Sequence, residues 1–190
     1  MGASGLKRET DRRVARTRDA LQRAFNGLLF KGGYESFTVS DVVEQANVGR
    51  STFYEHFDSK EDILWACMSR MFAVFAESVS GDAQPEKLQG VLEHLWQNRR
   101  LADAIFTGTP RLILSRSLAE LIEKRLSEIA GRRRGLVTPR LAAIQIAEAQ
   151  LVLVETWLRG RAASAPAALA EALHASSRAS AKALLFGLDG

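Results

Sequence analysis

The chain has 190 residues, of which 46% are hydrophobic and 25% are charged, as is typical of a globular protein with a sizeable buried core. With a single cysteine, no apolar run near the about 18 residues of a membrane span and no apolar leader, it is expected to be cytoplasmic and free of internal disulfides. The net charge is +4, but residues 1–80 hold eleven basic and eleven acidic side chains, so charge alone does not identify a nucleic-acid-binding protein.

Hydrophobic residues at three- and four-residue spacing, punctuated by proline and glycine, predict an all-α chain. Each proline suits the first turn of a helix, and Thr109 and Thr138 are predicted N-caps before Pro110 and Pro139. No segment alternates at period two for long enough to form a strand. The nine predicted helices span residues 10–31, 38–45, 50–56, 59–80, 85–97, 99–107, 110–130, 139–159 and 166–187.

The start of the chain is basic, with seven Lys or Arg against three Asp or Glu in the first 23 residues. Two interpretations are open. This segment can be an arm that enters a DNA minor groove, where arginine meets a strong negative potential. It can also be the solvated face of the first helix, which we favour for Arg12, Arg13 and Arg16.

Residues 38–57 predict a helix, a tight turn and a second short helix. Thr38 and Asp41 have the spacing of a capping box, which places a helix start at Thr38. Asn47 tolerates the left-handed conformation that ends helices. The apolar residues of the first helix fall on one face, which we expect to be buried: Val39, Val42, Val43 and Ala46.

The second short helix is predicted to have an apolar and a polar side. Phe53 and Phe57 can pack back onto the preceding helix, which leaves a polar side that suits insertion into the major groove of DNA. The predicted groove contacts are Arg50, Ser51 and Thr52. Arg50 can read a guanine or contact a phosphate, and both readings are open. Glu55 can accept from a cytosine, although a solvated carboxylate is the simpler interpretation.

From residue 10 to about residue 65 the chain resembles the TetR/AcrR family of bacterial transcriptional regulators. Residues 52–61, T-F-Y-E-H-F-D-S-K-E, carry the most specific part of the resemblance. Asn47 departs from the glycine that is more frequent in the family. The resemblance implies phosphate contacts at five positions: Thr38, Ser40, Tyr54, His56 and Lys60. For His56 a hydrogen bond inside the domain is the alternative.

The helix that follows is predicted to be a link between two domains. Ser59 and Asp62 have capping-box spacing, and residues 63–79 are apolar on nearly every side, so this helix must be covered all round. We therefore expect a DNA-binding domain over residues 1–62, ending at the start of this helix, and a ligand-binding and dimerisation domain over residues 63–190.

The second domain is expected to be a helical bundle that encloses an effector pocket. The candidate lining residues are Phe72, Phe75, His94, Trp96, Phe106, Gln145 and Trp157. Aromatic residues at helical spacing are more often core than pocket, so this alternative stays open for each of them. The resemblance implies that the last two helices, 139–159 and 166–187, pair with those of a second copy.

No motif predicts an enzyme, a metal site or a bound cofactor, since the three histidines, His56, His94 and His174, are far apart in the sequence. The predicted function is that of a homodimeric repressor of a roughly palindromic DNA site, released by a small, largely apolar effector. One alternative is a constitutive or partner-controlled dimeric DNA-binding protein without an effector. Another is a small-molecule-binding or catalytic helical protein with a vestigial helix-turn-helix.

Overall fold

The computed structural model describes residues 3–81, 83–131 and 135–187, with side chains from residue 12 onward. Across these residues the chain is helical and has no strand, which confirms the all-α prediction. A 3₁₀ turn, Tyr34–Ser36, follows the first helix. The α-helices within the described ranges are α1 (Ala3–Gly32), α2 (Val39–Gln45), α3 (Arg50–Tyr54), α4 (Lys60–Glu77), α5 (Pro85–Gln97), α6 (Arg99–Ile105), α7 (Gly108–Ala130), α8 (Pro139–Leu158) and α9 (Pro166–Phe186).

Two helix starts differ from the prediction by more than one residue. Helix α1 begins at Ala3 rather than at residue 10, because alanine, leucine, lysine, arginine and glutamate in this segment all favour helix. Helix α7 begins at Gly108, so its N-cap is Thr107 and not Thr109. The predicted cap of α8 is confirmed, since the Thr138 side chain accepts from the Leu141 amide at 3.3 Å.

The chain divides into two compact units, and the boundary falls inside α4, between Cys67 and Met68. The boundary expected from the sequence, after residue 62, lies near the start of the same helix. Because the helix continues across the boundary, no local break in the sequence marks it. These parts are called the N-terminal unit and the C-terminal unit below.

The core of the N-terminal unit contains an aromatic cluster between α1 and the segment that leads to α2. The Phe25 ring meets the rings of Phe37 and Tyr34 edge-on, at centroid distances of 5.3 and 6.3 Å. Val42 and Val43 from α2 are buried, as their helical spacing predicts. Edge-to-face aromatic pairs add to the free energy gained by burial itself, so this cluster gives α1 and the segment that leads to α2 a defined packing.

In the C-terminal unit, α8 packs against α7 and α9, while α5 packs against α9. Ion pairs also link α7 and α8. The Arg111 guanidinium donates to both Glu148 carboxylate oxygens, at 3.0 and 2.6 Å, and these bonds lower the pKa of Glu148. At the end of α8, Arg159 donates to Asp103 of α6 at 2.9 Å.

Among the described residues, α8 alone is long and apolar enough to pass a composition test for a membrane span. Half of its most apolar window is buried inside the unit, and core helices of soluble proteins pass the same test. Fully buried alanines at positions 142, 143 and 147 allow close packing of this helix. Its apolar character therefore agrees with a core position.

Candidate nucleic-acid interface

The capping box of α2 forms as the sequence predicts. The Thr38 hydroxyl donates to the Asp41 carboxylate at 2.8 Å, and the Thr38 amide donates to the same carboxylate at 2.6 Å. The Asp41 amide donates back to Thr38 Oγ1 at 3.4 Å. The Thr38 bonds lower the pKa of Asp41. The hydroxyl hydrogen of Thr38 is thus used within the cap, beside a negative charge.

The turn after α2 depends on one left-handed residue. Asn47 has a φ of 53°, the only positive φ at a non-glycine position in the described part of the chain, and this confirms the predicted turn. The Val48 amide then donates to the Val43 carbonyl at 3.1 Å. Gly49 resumes an extended conformation as the N-cap of α3. This backbone path sets the direction in which α3 leaves α2.

Two aromatic rings hold α3 in place. Phe53 is fully buried and Phe57 is 4% exposed, with ring centroids 5.8 Å apart. The Arg18 guanidinium of α1 lies over the Phe57 ring, 5.3 Å from its centroid. Both rings therefore pack into the N-terminal unit, as the sequence predicts, and the opposite side of α3 stays at the surface.

The outer side of α3 is polar and accessible. Arg50 and Ser51 are exposed, Thr52 is half-buried, and Tyr54 is 51% exposed. The structure thus brings four of the predicted DNA contacts onto one short helix, while Ser40 is exposed in the first turn of α2.

Helix α3 ends at Tyr54, so the predicted end at residue 56 is wrong by one half-turn. Glu55 is exposed and His56 is half-buried in the turn that follows. Of the basic residues of α1, Arg12, Arg13 and Arg16 are exposed, in agreement with a solvated face. The side chains of Lys7 and Arg8 lie outside the described residues.

Lys60 has partners that the sequence did not predict. Its ammonium group donates to the backbone carbonyls of Tyr34 and Phe37, at 2.5 and 2.6 Å. It also lies 4.1 and 4.4 Å from the centroids of the rings of the same two residues. Burial lowers the pKa of Lys60, although nearby carboxylates oppose the shift. The ammonium group is therefore bound inside the N-terminal unit.

This position gives Lys60 a structural role. It joins the first residue of α4 to the segment that connects α1 with α2. No local pattern in the sequence marks this site, because the backbone carbonyls of Tyr34 and Phe37 cannot be recognised as acceptors from sequence. A phosphate contact by Lys60 stays a prediction, and it would compete with these internal bonds.

The seven predicted effector-binding residues do not share one environment. Phe72, Phe75, Phe106 and Trp157 are buried, whereas His94 and Gln145 are exposed. Trp96 is 40% exposed and its ring lies on that of Trp157, with centroids 4.9 Å apart. The buried members pack as core, which was the alternative that the sequence left open. A separate surface cleft of about 470 Å³ at the ends of α4, α7 and α9 is lined by none of the seven.

Comparison with known proteins identifies the family of the N-terminal unit. The sequence model of the bacterial regulatory proteins of the tetR family matches residues 26–67, which include α2, α3 and the start of α4. Residues 26–67 of this chain are therefore similar to the TetR family. A relative, the uncharacterized HTH-type transcriptional regulator YxbF of Bacillus subtilis (strain 168), is 37% identical over 87 residues. That match covers 45% of this chain but only 23% of the relative, so the chain spans about a quarter of that protein.

Two solved structures share this fold along most of the chain. A TetR transcriptional regulator from Streptococcus agalactiae 2603V is 26% identical, with a TM-score of 0.57, and the match covers 90% of this chain and 98% of that one. A second structure is NalD of Pseudomonas aeruginosa, described as the secondary repressor of the MexAB-OprM multidrug efflux pump. It superposes with a TM-score of 0.55 at 19% identity, and the match covers 86% of this chain and 95% of NalD. The second likeness concerns the fold alone.

Replacement of Lys60 by methionine tests its internal role. We expect Lys60→Met to lower the free energy of unfolding by about 1–3 kcal/mol, because the part-buried carbonyls of Tyr34 and Phe37 lose their donor. Urea denaturation followed by circular dichroism measures the change, and Lys31→Met, at an exposed lysine of α1, is the matched control. If Lys60→Met is as stable as the wild type but its DNA affinity depends less on salt, by about one unit of log–log slope, Lys60 contacts phosphate instead.

Proposed function

We propose that this protein is a homodimeric transcriptional repressor that binds a roughly palindromic DNA operator and releases it when a small, largely apolar effector binds. The N-terminal unit supplies the DNA contacts, and the C-terminal unit supplies dimerisation and effector binding. The observation that carries the proposal is the accessible polar side of α3, with Arg50, Ser51 and Tyr54 exposed over the buried Phe53 ring. No enzymatic activity is part of this proposal.

The exposed residues of α3 suit different kinds of contact. A guanidinium at the first residue of the helix can form a bidentate pair with guanine, which discriminates between base pairs, whereas hydroxyl groups contact phosphates or bases. Tyr54 is the last residue of α3 and is 51% exposed. We assign base reading to Arg50 with Ser51 and Thr52, and phosphate contacts to Ser40, Tyr54 and His56. For Thr38 and Lys60, the internal bonds weaken the case for phosphate contact.

Dimerisation is supported by an apolar surface on α8. Leu141, Ile144, Val152 and Leu153 are between 40% and 56% exposed. The outer side of α9 carries mainly alanine, which allows another helix to approach closely: Ala168, Ala172, Ala175 and Ala179 are exposed. A surface of this kind is unfavourable in water and is typical of an interface. Two copies present two α3 helices, which a two-fold DNA site can accept.

Release by an effector requires two arrangements of the C-terminal unit that bind the effector with different affinities. Because Phe72, Phe75, Phe106 and Trp157 are packed in the core, an effector that reaches these rings has to displace side chains. That displacement is a physical route from binding to a change in helix packing. A cytoplasmic location follows from the same proposal, since operator DNA is found there.

The DNA-binding part is tested with a duplex selected from random sequences. We expect Arg50→Ala to weaken binding by about 1–3 kcal/mol and to relax the preference at one base pair, because a bidentate contact is lost. Tyr54→Phe should weaken binding to every duplex alike. Arg70→Ala, at an exposed arginine beyond the N-terminal unit, is the control and should leave binding unchanged. Fluorescence anisotropy at several salt concentrations measures all three. Wild-type affinity in both α3 variants would contradict the interface.

The proposed dimer interface is tested by introducing one charged side chain on the apolar surface of α8. Val152→Glu places a carboxylate on the apolar surface, and burial of an unpaired charge is strongly unfavourable, so we expect a monomer by light scattering at micromolar concentration. Operator affinity should fall with it. Leu112→Glu is the matched control, because Leu112 is 71% exposed on α7. A monomeric wild type, or a Val152→Glu variant that stays dimeric, contradicts the proposed interface.

The effector is tested with a panel of small aromatic and aliphatic compounds. We expect at least one to lower operator affinity by roughly fivefold or more, and operator DNA to lower the affinity of that compound by the same factor, because coupling between binding sites is reciprocal. Tryptophan fluorescence should report its binding, since Trp157 is one of the predicted contacts. If no compound changes operator affinity and no small molecule copurifies in native mass spectrometry, the effector-free, constitutive or partner-controlled dimer replaces this part of the proposal.

A further inference from the structure

Three polar side chains are buried together in the C-terminal unit. Ser78, Gln150 and Ser177 are 2%, 1% and 3% exposed, and they are the buried polar residues of the part of the chain that the structure describes. They belong to three separate segments. Ser78 follows the last residue of α4, Gln150 is in the middle of α8, and Ser177 is in the middle of α9. The cluster therefore joins α4 to both helices that we assign to the dimer.

Gln150 is the centre of this cluster. Its Nε2 amide group lies 2.8 Å from Ser78 Oγ, 2.9 Å from Ser177 Oγ and 3.2 Å from the Phe75 carbonyl oxygen. The Ser78 hydroxyl also donates to the Phe75 carbonyl, at 2.6 Å. Since an amide has two N–H bonds, Gln150 can donate fully to two of these three acceptors at one time.

The Phe75 carbonyl is important because it belongs to the last turn of α4. The final carbonyls of a helix have no partner within the helix and need donors from elsewhere. Gln150 and Ser78 supply such donors inside an otherwise apolar core. The end of α4 is therefore attached by directional bonds to α8, and through Ser177 to α9, in addition to the packing of Phe72 and Phe75.

This set of hydrogen bonds costs free energy, which indicates that Gln150 has a role beyond filling the core. Gln150 Oε1 is buried and has no hydrogen-bond partner among the described residues. A buried polar atom without a partner is unfavourable, and an apolar side chain of the same size would avoid the cost. What an apolar side chain cannot do is fix one position of α4, because apolar contacts tolerate small displacements that hydrogen bonds do not.

We propose that Gln150 is a positioning residue that fixes the end of α4 against α8 and α9, and that it couples the packing of the C-terminal unit to DNA binding. The coupling part rests on the proposed function. Helix α4 is continuous, with Ile63 and Leu64 in the core of the N-terminal unit and Phe72 and Phe75 in the core of the C-terminal unit. A change in the hydrogen bonds between Gln150 and the end of α4 therefore changes how α4 is held.

The test replaces Gln150 by methionine, which has a similar length but no amide. In the full-length protein without DNA, we expect amide hydrogen exchange in the last turn of α4, residues 74–80, to become about tenfold faster, because the end of the helix loses its hydrogen-bond partners. Exchange in α1 should not change. Gln97→Met, at an exposed glutamine of α5, is the matched control. A merely structural role would alter the global stability without this local change.

Ser177→Ala provides a second, smaller change that removes only the acceptor from α9. It should also speed exchange at residues 74–80, but less than Gln150→Met does. If both variants fold and amide exchange at residues 74–80 is unchanged in both, Gln150 does not fix the end of α4. If Gln150→Met does not fold, Ser177→Ala decides alone.

Operator affinity then tests the coupling. We expect Gln150→Met to change affinity for the selected duplex by roughly fivefold or more while the protein stays dimeric. If exchange at residues 74–80 is faster but operator affinity is unchanged, Gln150 fixes the end of α4 without affecting DNA binding, and the coupling part of the proposal is contradicted. If the wild type binds no duplex, the proposed function fails, and hydrogen exchange still decides whether Gln150 anchors α4.

Discussion

A helix of five residues has too few internal hydrogen bonds to persist in water, so the position of α3 depends on the burial of Phe53 and Phe57. Both rings pack inward and Arg18 lies over one of them, which leaves only one side of the helix in solvent. The exposed arrangement of Arg50, Ser51 and Tyr54 is a consequence of that burial. Any change that releases the two rings removes the surface that we propose for DNA.

Helix α4 is held by polar groups at both ends, and each of them binds backbone carbonyls. At its first residue, the Lys60 ammonium binds the carbonyls of Tyr34 and Phe37. At its last turn, Gln150 and Ser78 bind the carbonyl of Phe75. Such bonds restrict orientation more than apolar packing does. The proposed regulation depends on how α4 is held at these two attachments.

The C-terminal unit combines a packed aromatic core with an apolar outer surface on α8. Four of the rings that the sequence offered as effector contacts are part of that core, so effector binding in this region would involve repacking rather than entry into a preformed cavity. The half-exposed leucines and valine of α8 are explained if a second copy of the chain covers them in the proposed dimer. In the proposed mechanism, dimerisation and effector response therefore share α8, which carries Trp157 in the core and the apolar surface outside.

The sequence by itself determined the features that depend on neighbouring residues. The capping box of Thr38 and Asp41, the left-handed Asn47, the cap of α8 at Thr138 and the helix order follow from local hydrogen bonds and from the 3.6-residue period. These interactions join residues a few positions apart, and they form in the same way wherever the segment is placed.

Tertiary structure decided which partner each side chain meets. Helical periodicity indicates that Phe72 and Trp157 face inward, but it does not distinguish a filled core from a pocket. The ammonium of Lys60 binds carbonyls 26 and 23 positions earlier in the chain, and Gln150 reaches Phe75 across 75 positions. Such contacts leave no local pattern, because they depend on how whole helices pack. The physical reason is that capping and periodicity are local, whereas the burial of a polar atom depends on every helix around it.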